Sequence, residues 1–564
     1  MAFQLSPGVL VTEKDLTSVV PAVATSIGGI AGYFTWGPAG EIVTVDSENM
    51  LRKVFGTPTK GNTTTYAEFF TAASFLAYSN NLKVVRAYHS TSRNAVSTGT
   101  AVLIKNEADY VSNYSTGQAS VGMWAAKYFG LLGNSLRVSF SDSSNYSAWA
   151  YKTNFDYSPT ATAFATEAGA SNDELHIIVI DQNGSFTGVP GTILEKFAGV
   201  SKALDAKDSV GRSNYYADVI NERSEYIYWM DHPAGQAATS TAWGSFTASQ
   251  TYVSGFISDE STDNLGGGLA GTQLVDGDIT AAYSLFINDE LVDVNLLMAA
   301  GHSATVGDYL IDSVAEVRKD CMVFISPQQV SVVNNAGDEA TDIVAELSSY
   351  TRSSYAVMDS GYKYMYDRYN NSYRWVPCNG DVAGACANTD SVADPWFSPA
   401  GYNRGAIKNA IKLAYSPSKT DRDTLYKAGV NPIVGFPGNG IVLFGDKTML
   451  NRPSAFDRIN VRRLFIVLEK AIATAAKFQL FEFNDAFTRA QFSSLVEPFL
   501  RDVQGRRGIY DFKVVCNDSN NTSQVIDSNQ FVADIFIQPA KSINFIQLNF
   551  IATRTGISFE EVGG

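Results

Sequence analysis

A stretch rich in Ser, Thr, Asn, Gly and Tyr, from about residue 90 to residue 277, interrupts an otherwise regular alternation of strand and helix patterns. Before it, strands are predicted at Thr25–Phe34 and Leu82–Tyr88, and helices at Ser47–Phe55 and Tyr66–Ser79. This order is typical of the start of a β–α–β unit. The pattern resumes near Leu291, so we interpret the interruption as one or two domains inserted into a single host unit, which chains tolerate at exposed loops.

The interrupting stretch itself predicts β-structure and surface loops. Short strands are predicted at Leu136–Phe140 and Leu175–Asp181, and its best helix candidate is Gly191–Leu204. The segment Thr239–Gly271 has few apolar anchors. An inserted, β-rich outer domain is therefore expected at residues 93–280.

The remainder of the chain predicts a second series of elements. The predicted strands are Leu291–Met298, Met322–Ser326, an extended Tyr355–Tyr366, Ile441–Phe444, Phe512–Cys516, Phe531–Ile537, Ile543–Thr553 and Ile557–Val562. The predicted helices are Ala304–Arg318, Ile343–Ser349, Gly405–Ala414, Asp421–Ala428 (closed by Gly429), Val461–Phe478 and Phe483–Arg501. A Pro- and Gly-containing segment, Val376–Gly401, is interpreted as a crossing between the two parts.

These patterns predict an α+β (mixed α/β), multidomain protein. The expected parts are an N-terminal arm at 1–20, a discontinuous middle α/β domain at 21–92 and 281–380, the inserted β-rich domain at 93–280, and a C-terminal domain with a terminal strand extension at 381–564.

Composition excludes several classes of function. The chain has 564 residues, is 45% hydrophobic and carries a formal net charge of −15, so an acidic body is expected to repel nucleic acid and anionic membranes. No window has the roughly 18 apolar residues of a membrane span. The first residues are not those of a signal peptide, and four scattered cysteines make no disulfide framework, so synthesis in a reducing cytosol is expected.

The sequence contains only incomplete versions of catalytic, nucleotide-binding and metal-binding motifs. Gly440–Thr448 resembles a phosphate-binding loop, but Asp446 interrupts the motif and its Ile-Val-Leu-Phe run predicts a strand. The four histidines lie far apart, and Cys378 and Cys386 have no His partner. No catalytic residue, cofactor site or metal site is therefore predicted.

Both ends of the chain predict lone strands. At the N-terminus the strand residues are Leu5, Val9, Val11 and Glu13, within Leu5–Glu13. At the C-terminus they are Ile535, Ile537, Ile546, Leu548, Phe550 and Phe559. These strands either complete the sheet of their own domain or pair with the sheet edge of another chain.

The predicted helix Val461–Phe478 also carries a basic stripe. Arg463, Lys470 and Lys477 recur every seven residues opposite its apolar face. The stripe is either a solvated helix face or a weak electrostatic seat for an acidic partner.

Sequence blocks along the chain resemble those of one known family, the tail sheath proteins of contractile-tailed bacteriophages. The strongest are PWFSPAGYNRGAIKNAI, LYKAGVNPIVGFPGNGIVLFGDKTM and FDRINVRRLFIVLEKAI, all between Pro395 and Ile472. Others are SPGVLVTEKD at Ser6–Asp15, TSIGGIAGYFTWGPAGE at Thr25–Glu41, RKDCMVFISP at Arg318–Pro327 and SSYAVMDSGYKYMYD at Ser353–Asp367. Two turns depart from the family pattern: VPCNG stands where Pro-Pro-Ser-Gly is commoner, and FEFND where Glu-Pro-Asn is usual.

The resemblance implies a non-enzymatic structural subunit of the virion tail, assembled in the host cytoplasm without nucleic acid or membrane insertion. Hexameric discs would stack as a helical tube around the tail tube protein, with baseplate and tail terminator proteins as further partners. The terminal strands would be donated to neighbouring subunits, and contraction would drive the tube through the host envelope. The basic stripe would face the tube.

Two alternatives remain open from the sequence. One is the sheath of a bacterial contractile injection or secretion system or tailocin. The other, from a different class, is a multidomain hydrolase, for which chain length is the sole support.

Overall fold

The structure is a computed structural model that describes residues 23–58, 66–233, 243–245, 247–253, 262–271, 274–544 and 546–547. The chain divides into two compact units. The larger unit consists of Ala24–Ala393 and Pro399–Ile459, and the smaller unit of Met1–Val23, Asp394–Ser398 and Asn460–Gly564. Helices and strands alternate in the larger unit, which makes the protein mixed α/β as expected.

The first elements of the larger unit match the predicted ones closely, except that the strand Ile42–Val45 was not predicted. They are β1 (Gly28–Gly32), β2 (Ile42–Val45), α1 (Glu48–Phe55), α2 (Ala67–Leu76) and β3 (Leu82–Arg86). Ser47 starts α1 by accepting a hydrogen bond from the Met50 N–H at 3.3 Å. Every residue of β1 is buried, as expected for a strand covered on both faces of a parallel sheet.

The region that follows carries short helices and mostly antiparallel strands. Its elements are α3 (Glu107–Asn113), β4 (Trp124–Ala126), β5 (Leu136–Ser141), α4 (Ala163–Glu167), β6 (Glu174–Asp181), β7 (Thr192–Ser201), α5 (Tyr216–Arg223), β8 (Ile227–Trp229) and β9 (Thr262–Asn264). The sheet order β7-β6-β5-β9 places the fully buried β6 at its centre. The helix predicted at Gly191–Leu204 is wrong: its main part is β7, whose pairing with β6 contains two register shifts.

The larger unit then continues to residue 459. Its elements are α6 (Asp276–Tyr283), β10 (Leu296–Met298), α7 (Ala304–Tyr309), α8 (Glu316–Arg318), β11 (Met322–Ile325), α9 (Glu339–Leu347), β12 (Ala356–Asp359), β13 (Tyr362–Asp367), β14 (Ser372–Pro377), α10 (Asn379–Val392), β15 (Lys412–Leu413), α11 (Lys419–Ala428), β16 (Val430–Asn431), β17 (Ile433–Phe436) and β18 (Gly440–Leu443). A π-helical turn, Leu310–Ala315, joins α7 to α8, so the predicted helix at Ala304–Arg318 is continuous.

A seven-stranded sheet with the order β16-β12-β11-β10-β1-β3-β2 forms the centre of this unit. All its pairings are parallel except that of β2 with β3. Gly28 pairs with Leu296, so the sheet combines strands from both sides of the region that contains β4 to β9. The sequence feature that indicated this discontinuous sheet was the interruption of the strand–helix pattern.

Two further predictions for this unit are wrong. Val376–Gly401 is mostly the buried helix α10 and not a crossing segment. Its small residues allow close packing on α2 and on the turn that follows α2. A Cβ at Gly380 would lie 2.4 Å from the Thr71 carbonyl oxygen in α2, and one at Gly384 would lie 2.4 Å from the Tyr78 ring in the turn. Gly405–Ala414 forms turns and the short β15 instead of a helix.

The smaller unit contains the last elements that the structure describes. They are α12 (Ile459–Ala476), α13 (Ala486–Gly505), β19 (Ile509–Val515), α14 (Ser523–Asp527) and β20 (Asp534–Pro539). The helix α12, which belongs to this unit from Asn460 onward, places Leu464, Leu468 and Ile472 in one apolar core. From α13, Phe492, Val496 and Leu500 join the same core.

Candidate assembly surface

The strands β19 and β20 form an antiparallel pair on the core of the smaller unit. Their register runs from Ile509 opposite Pro539 to Val515 opposite Asp534. Alternation of side chains gives the pair two different faces: Phe512, Val514, Ile535 and Ile537 pack against the α12–α13 core. On the other face Tyr510 is 64% and Phe536 59% exposed.

This sheet has two open edges within the part of the chain that the structure describes. There, β19 and β20 pair with each other and with no third strand. A two-stranded sheet leaves a row of backbone donors and acceptors on each outer edge, ready to pair with another strand. The arrangement can therefore accept one additional strand at β19 and one at β20.

The chain continues past β20 with apolar residues that are exposed to solvent. The Ala540 N–H donates to the Gly508 carbonyl at 3.1 Å, which fixes the end of the strand pair. Beyond it Ile543 is 80% and Ile546 77% exposed, and residues 541–544 and 546–547 form no strand. These isoleucines do not bury themselves in the unit to which they belong.

The predicted strand residues have three different fates. Ile535 and Ile537 lie in β20 and pack on their own core, whereas Ile546 is exposed. Leu548, Phe550 and Phe559, and the N-terminal Leu5, Val9, Val11 and Glu13, lie outside the described residues.

The basic stripe is not uniformly exposed. Arg463, near the start of α12, is buried at 4% exposure. Lys470 is partly exposed, and Lys477 is exposed in the short 3₁₀ turn Lys477–Gln479 that follows the helix. Burial of Arg463 does not fit a surface stripe of three residues, so the exposed part contains Lys470 and Lys477.

Sequence reasoning missed a strongly apolar surface next to this stripe, the aromatic loop, which we define as residues 478–487. Its exposed side chains and their exposed fractions are Phe478 75%, Leu480 63%, Phe481 104%, Phe483 84% and Phe487 75%. The signal was available in the sequence FQLFEFNDAF, which places five large apolar residues among ten. It was overlooked because Phe478, Phe483 and Phe487 were assigned to the two flanking predicted helices.

The aromatic loop is held in place by polar contacts within the smaller unit. Asp485 begins α13 and accepts a hydrogen bond from the Thr488 N–H at 2.8 Å, and this bond keeps the pKa of Asp485 below its ordinary value. The Asn484 side chain donates to the Gln530 carbonyl at 2.8 Å. Arg489, buried at 7% exposure, donates to the Asn484 side-chain oxygen at 2.8 Å and to Asp518 at 2.6 Å.

The segment that resembles a phosphate loop is a strand, as predicted. Gly440–Leu443 forms β18, antiparallel to β17. The Lys447 ammonium donates to the Tyr426 carbonyl at 2.7 Å, and its backbone N–H donates to the Asn431 side chain at 2.7 Å. Backbone amides committed to a strand pair cannot encircle a phosphate.

The described part of the chain offers neither of two further kinds of site. No group of three or more His, Cys, Asp or Glu side chains there could hold a metal ion. No helix there is both long enough and apolar enough to cross a membrane.

Comparison with known proteins identifies the family. The model of the phage tail sheath protein central domain matches residues 275–449, and that of the phage tail sheath C-terminal domain matches residues 451–553. The tail sheath protein of Vibrio phage KVP40 is 35% identical over 99% of this chain and 100% of its own length. The tail sheath protein of Enterobacteria phage T4 is 33% identical over 99% of both chains.

The chain belongs to the phage tail sheath protein family. The resemblance seen in the sequence blocks is thereby confirmed, and with it the role of a structural subunit of a contractile phage tail. Because the relatives are structural sheath proteins, the hydrolase alternative has no support.

Solved sheath structures share the fold. The crystal structure of a sheath tail protein from Desulfitobacterium hafniense covers 94% of this chain and all of its own, with a TM-score of 0.55 and 12% identity. The anti-feeding prophage helical sheath in its contracted state covers 97% of this chain and 99% of its own, with a TM-score of 0.51 and 13% identity. The mixed α/β architecture is that of sheath proteins.

Proposed function

We propose that this sheath protein polymerises by exchanging strands, and that the open pair β19–β20 is the acceptor. One neighbouring copy would donate its N-terminal strand, Leu5–Glu13, and another its C-terminal extension beyond Ala540. The observation that carries this proposal is the two-stranded sheet with both outer edges unpaired among the described strands.

The energetics fit a strand-linked polymer. A donated strand forms several main-chain hydrogen bonds, each contributing roughly 0.5–1.5 kcal/mol net. Its apolar side chains would extend the surface on which Phe512 and Ile535 already pack. The exposed Ile543 and Ile546 are the type of residue that a neighbour's sheet would bury.

Such contacts are heterologous, because a donor strand and an acceptor edge are different surfaces. Contacts of this kind generate rings or helical filaments instead of closed dimers. Hexameric discs stacked around a tail tube, bounded by baseplate and terminator proteins, are the arrangement we propose for this chain in the virion tail. Contraction would move the units as rigid bodies while the strand links persist, without nucleotide hydrolysis.

A contact with the tail tube is proposed for the exposed part of the basic stripe. Lys470 and Lys477 would provide a weak, salt-sensitive attraction to an acidic tube surface. A weak contact suits a sheath that has to slide along its tube. The phage relatives, matched over the full chain, favour a phage tail over a bacterial injection or secretion machine or tailocin.

The test is to remove donor strands while leaving the acceptor intact. Deleting residues 1–17 should give a monomer with an unchanged melting temperature that forms no tubes in negative-stain microscopy. For the C-terminal donor, the chain should end after Ala540, because a cut after Ile537 removes part of β20.

A matched pair of point variants separates strand formation from chain length. Val9→Pro with Val11→Pro removes backbone donors that a ladder needs, whereas Val9→Ile with Val11→Ile keeps strand propensity. Tubes are expected from the isoleucine variant and not from the proline variant. Normal tubes from the 1–17 deletion would overturn strand donation by the arm.

A further inference from the structure

The aromatic loop, residues 478–487, presents an apolar surface at the upper end of what a monomer ordinarily exposes. Four phenylalanines and one leucine are each at least 63% exposed, and aromatic side chains cover about 150–250 Å² apiece. Their exposed surface is on the order of 600 Å² or more, which reaches the upper end of the largest patches on typical monomers. It also approaches the roughly 800 Å² that one partner contributes to a stable interface.

The backbone conformation of the loop keeps these apolar side chains exposed. Phe481 has a φ of +71°, a left-handed conformation that bulky residues rarely adopt and that is retained where function requires it. The backbone is tied down by hydrogen bonds from the Leu480 N–H to the Lys477 carbonyl and from the Glu482 N–H to the Gln479 carbonyl, each at 3.3 Å. Together with the contacts of Asn484, these bonds make the loop a shaped projection.

The anchor of the loop connects it to the strand pair. Asn484 donates to the Gln530 carbonyl at 2.8 Å and to the Asn521 side chain at 3.1 Å. Both partners belong to the segment between β19 and β20. Phe531, in the same segment, packs edge-on against Phe492 of α13 with ring centroids 5.5 Å apart. The loop is therefore continuous with the surface that the proposed function assigns to assembly.

We infer that the aromatic loop docks into a second copy of this chain, an inference that rests on the proposed function. The charged residues within the loop are Glu482 and Asp485, both acidic, so electrostatic attraction to an acidic tube does not explain it. A desolvated aromatic contact is also too persistent for a tube that has to slide free. Contacts between sheath copies can persist, and apolar cores are typical of such permanent interfaces.

The first test measures assembly. Phe481→Ser with Phe483→Ser should leave the melting temperature of the monomer unchanged and raise the critical concentration for tube formation at least tenfold, measured by pelleting and microscopy. Val330→Ser is the matched control, since Val330 is also an apolar residue at 79% exposure but lies in the larger unit. It should assemble as the wild type does.

The outcomes separate the two proposals. Tubes formed at the same concentration by wild type and by the double variant overturn this inference alone. A wild-type chain that forms no tubes overturns the proposed function and this inference with it.

The second test identifies the occupant. With p-benzoylphenylalanine in place of Phe481, irradiation of assembled tails should give a product of twice the 61.0 kDa chain mass, and irradiation of dilute monomer should not. A product that contains the tube protein, a cross-link within one chain, or no product would each overturn docking into a second copy.

Discussion

Lys363 Nζ lies 2.8 Å from the carboxylate of Asp381, and neither side chain is exposed to solvent. The ammonium also donates to the Lys408 carbonyl at 3.0 Å, and the Tyr78 hydroxyl donates to Asp381 at 3.2 Å. Burial raises the pKa of Asp381, although the charge of Lys363 acts in the opposite direction. This ion pair joins the strand β13 to the helix α10 inside the larger unit.

Replacing Lys363 with Met should therefore be strongly destabilising. A carboxylate left buried without its partner costs about 3–5 kcal/mol, measured as the free energy of unfolding in urea. The double variant Lys363→Met with Asp381→Asn should lose less, because no buried charge remains. A single variant as stable as the wild type would show that Asp381 is already neutral in the folded protein.

Stability should fall as pH rises from 6.5 to 8. Burial raises the pKa of Glu68 to about 8 and that of Asp359 to about 8. Each group binds its proton in the folded chain where the unfolded chain has already lost it, so its stabilising contribution disappears as pH approaches 8. His302, whose pKa burial lowers to about 4, acts in the opposite direction, but only below about pH 6.5.

The variant Glu68→Gln isolates one group. It should reduce the fall in unfolding free energy between pH 6.5 and 8 by about 1–2 kcal/mol, measured by urea denaturation at both values. Glu482→Gln, at an exposed position, should leave the fall unchanged. An identical pH dependence in wild type and Glu68→Gln would contradict the raised pKa.

Gly429→Ala should destabilise the larger unit by about 1 kcal/mol. Gly429 closes α11 with a φ of +104°, and its N–H donates to the Leu425 carbonyl at 3.1 Å. A Cβ there would meet its nearest atoms at 3.6 Å, so the cost is conformational and not a clash.

Gly505→Ala is the matched control for that backbone effect. Gly505 is the last residue of α13, and a Cβ there meets nothing within 4 Å. The change should be neutral or stabilising by up to about 1 kcal/mol. If thermal unfolding showed that Gly429→Ala and Gly505→Ala lower stability equally, the left-handed conformation of Gly429 would not be the cause of the loss.

No saturable ATP binding is expected, with or without Mg²⁺. The amides of Gly440–Leu443 belong to β18, and Lys447 is engaged with Tyr426 and Asn431. Equilibrium dialysis should give the same background for wild type and Lys447→Ala. Saturable binding that Lys447→Ala abolishes would show a nucleotide site.

Elements with a strong period or a clear cap were predictable from the sequence. The helix α12 follows from its apolar spacing, and the end of α11 from Gly429; the start of α11 was predicted two residues late, at Asp421, because the cap at Ser418 was not recognised. The helix α10 was missed because its small residues bury nearly the whole helix, which leaves no contrast between faces. The strand β7 was mistaken for a helix because bulges shift its alternation.

The assembly surface was predictable only in part. Ile535 and Ile537 were placed correctly on a strand, but sequence alternation cannot tell whether a strand serves its own sheet or a neighbour's. The burial of Arg463 was not predictable, since a seven-residue period fixes a face and not what covers that face. The aromatic loop was missed because exposed phenylalanines break the rule that apolar residues lie inside.

The pairing of Gly28 with Leu296 also determines the order in which the chain can fold during synthesis. The strands β1 and β3 leave the ribosome first, yet β10 and finally β16 complete their sheet much later. At ~5–20 residues per second, this delay lasts roughly 20–80 s. The region of β5 to β7 can bury its own core in the meantime, while the edge of β1 that later pairs with β10 stays open. A host cell that produces this protein in quantity therefore has to keep that open edge from pairing with a strand of another nascent chain.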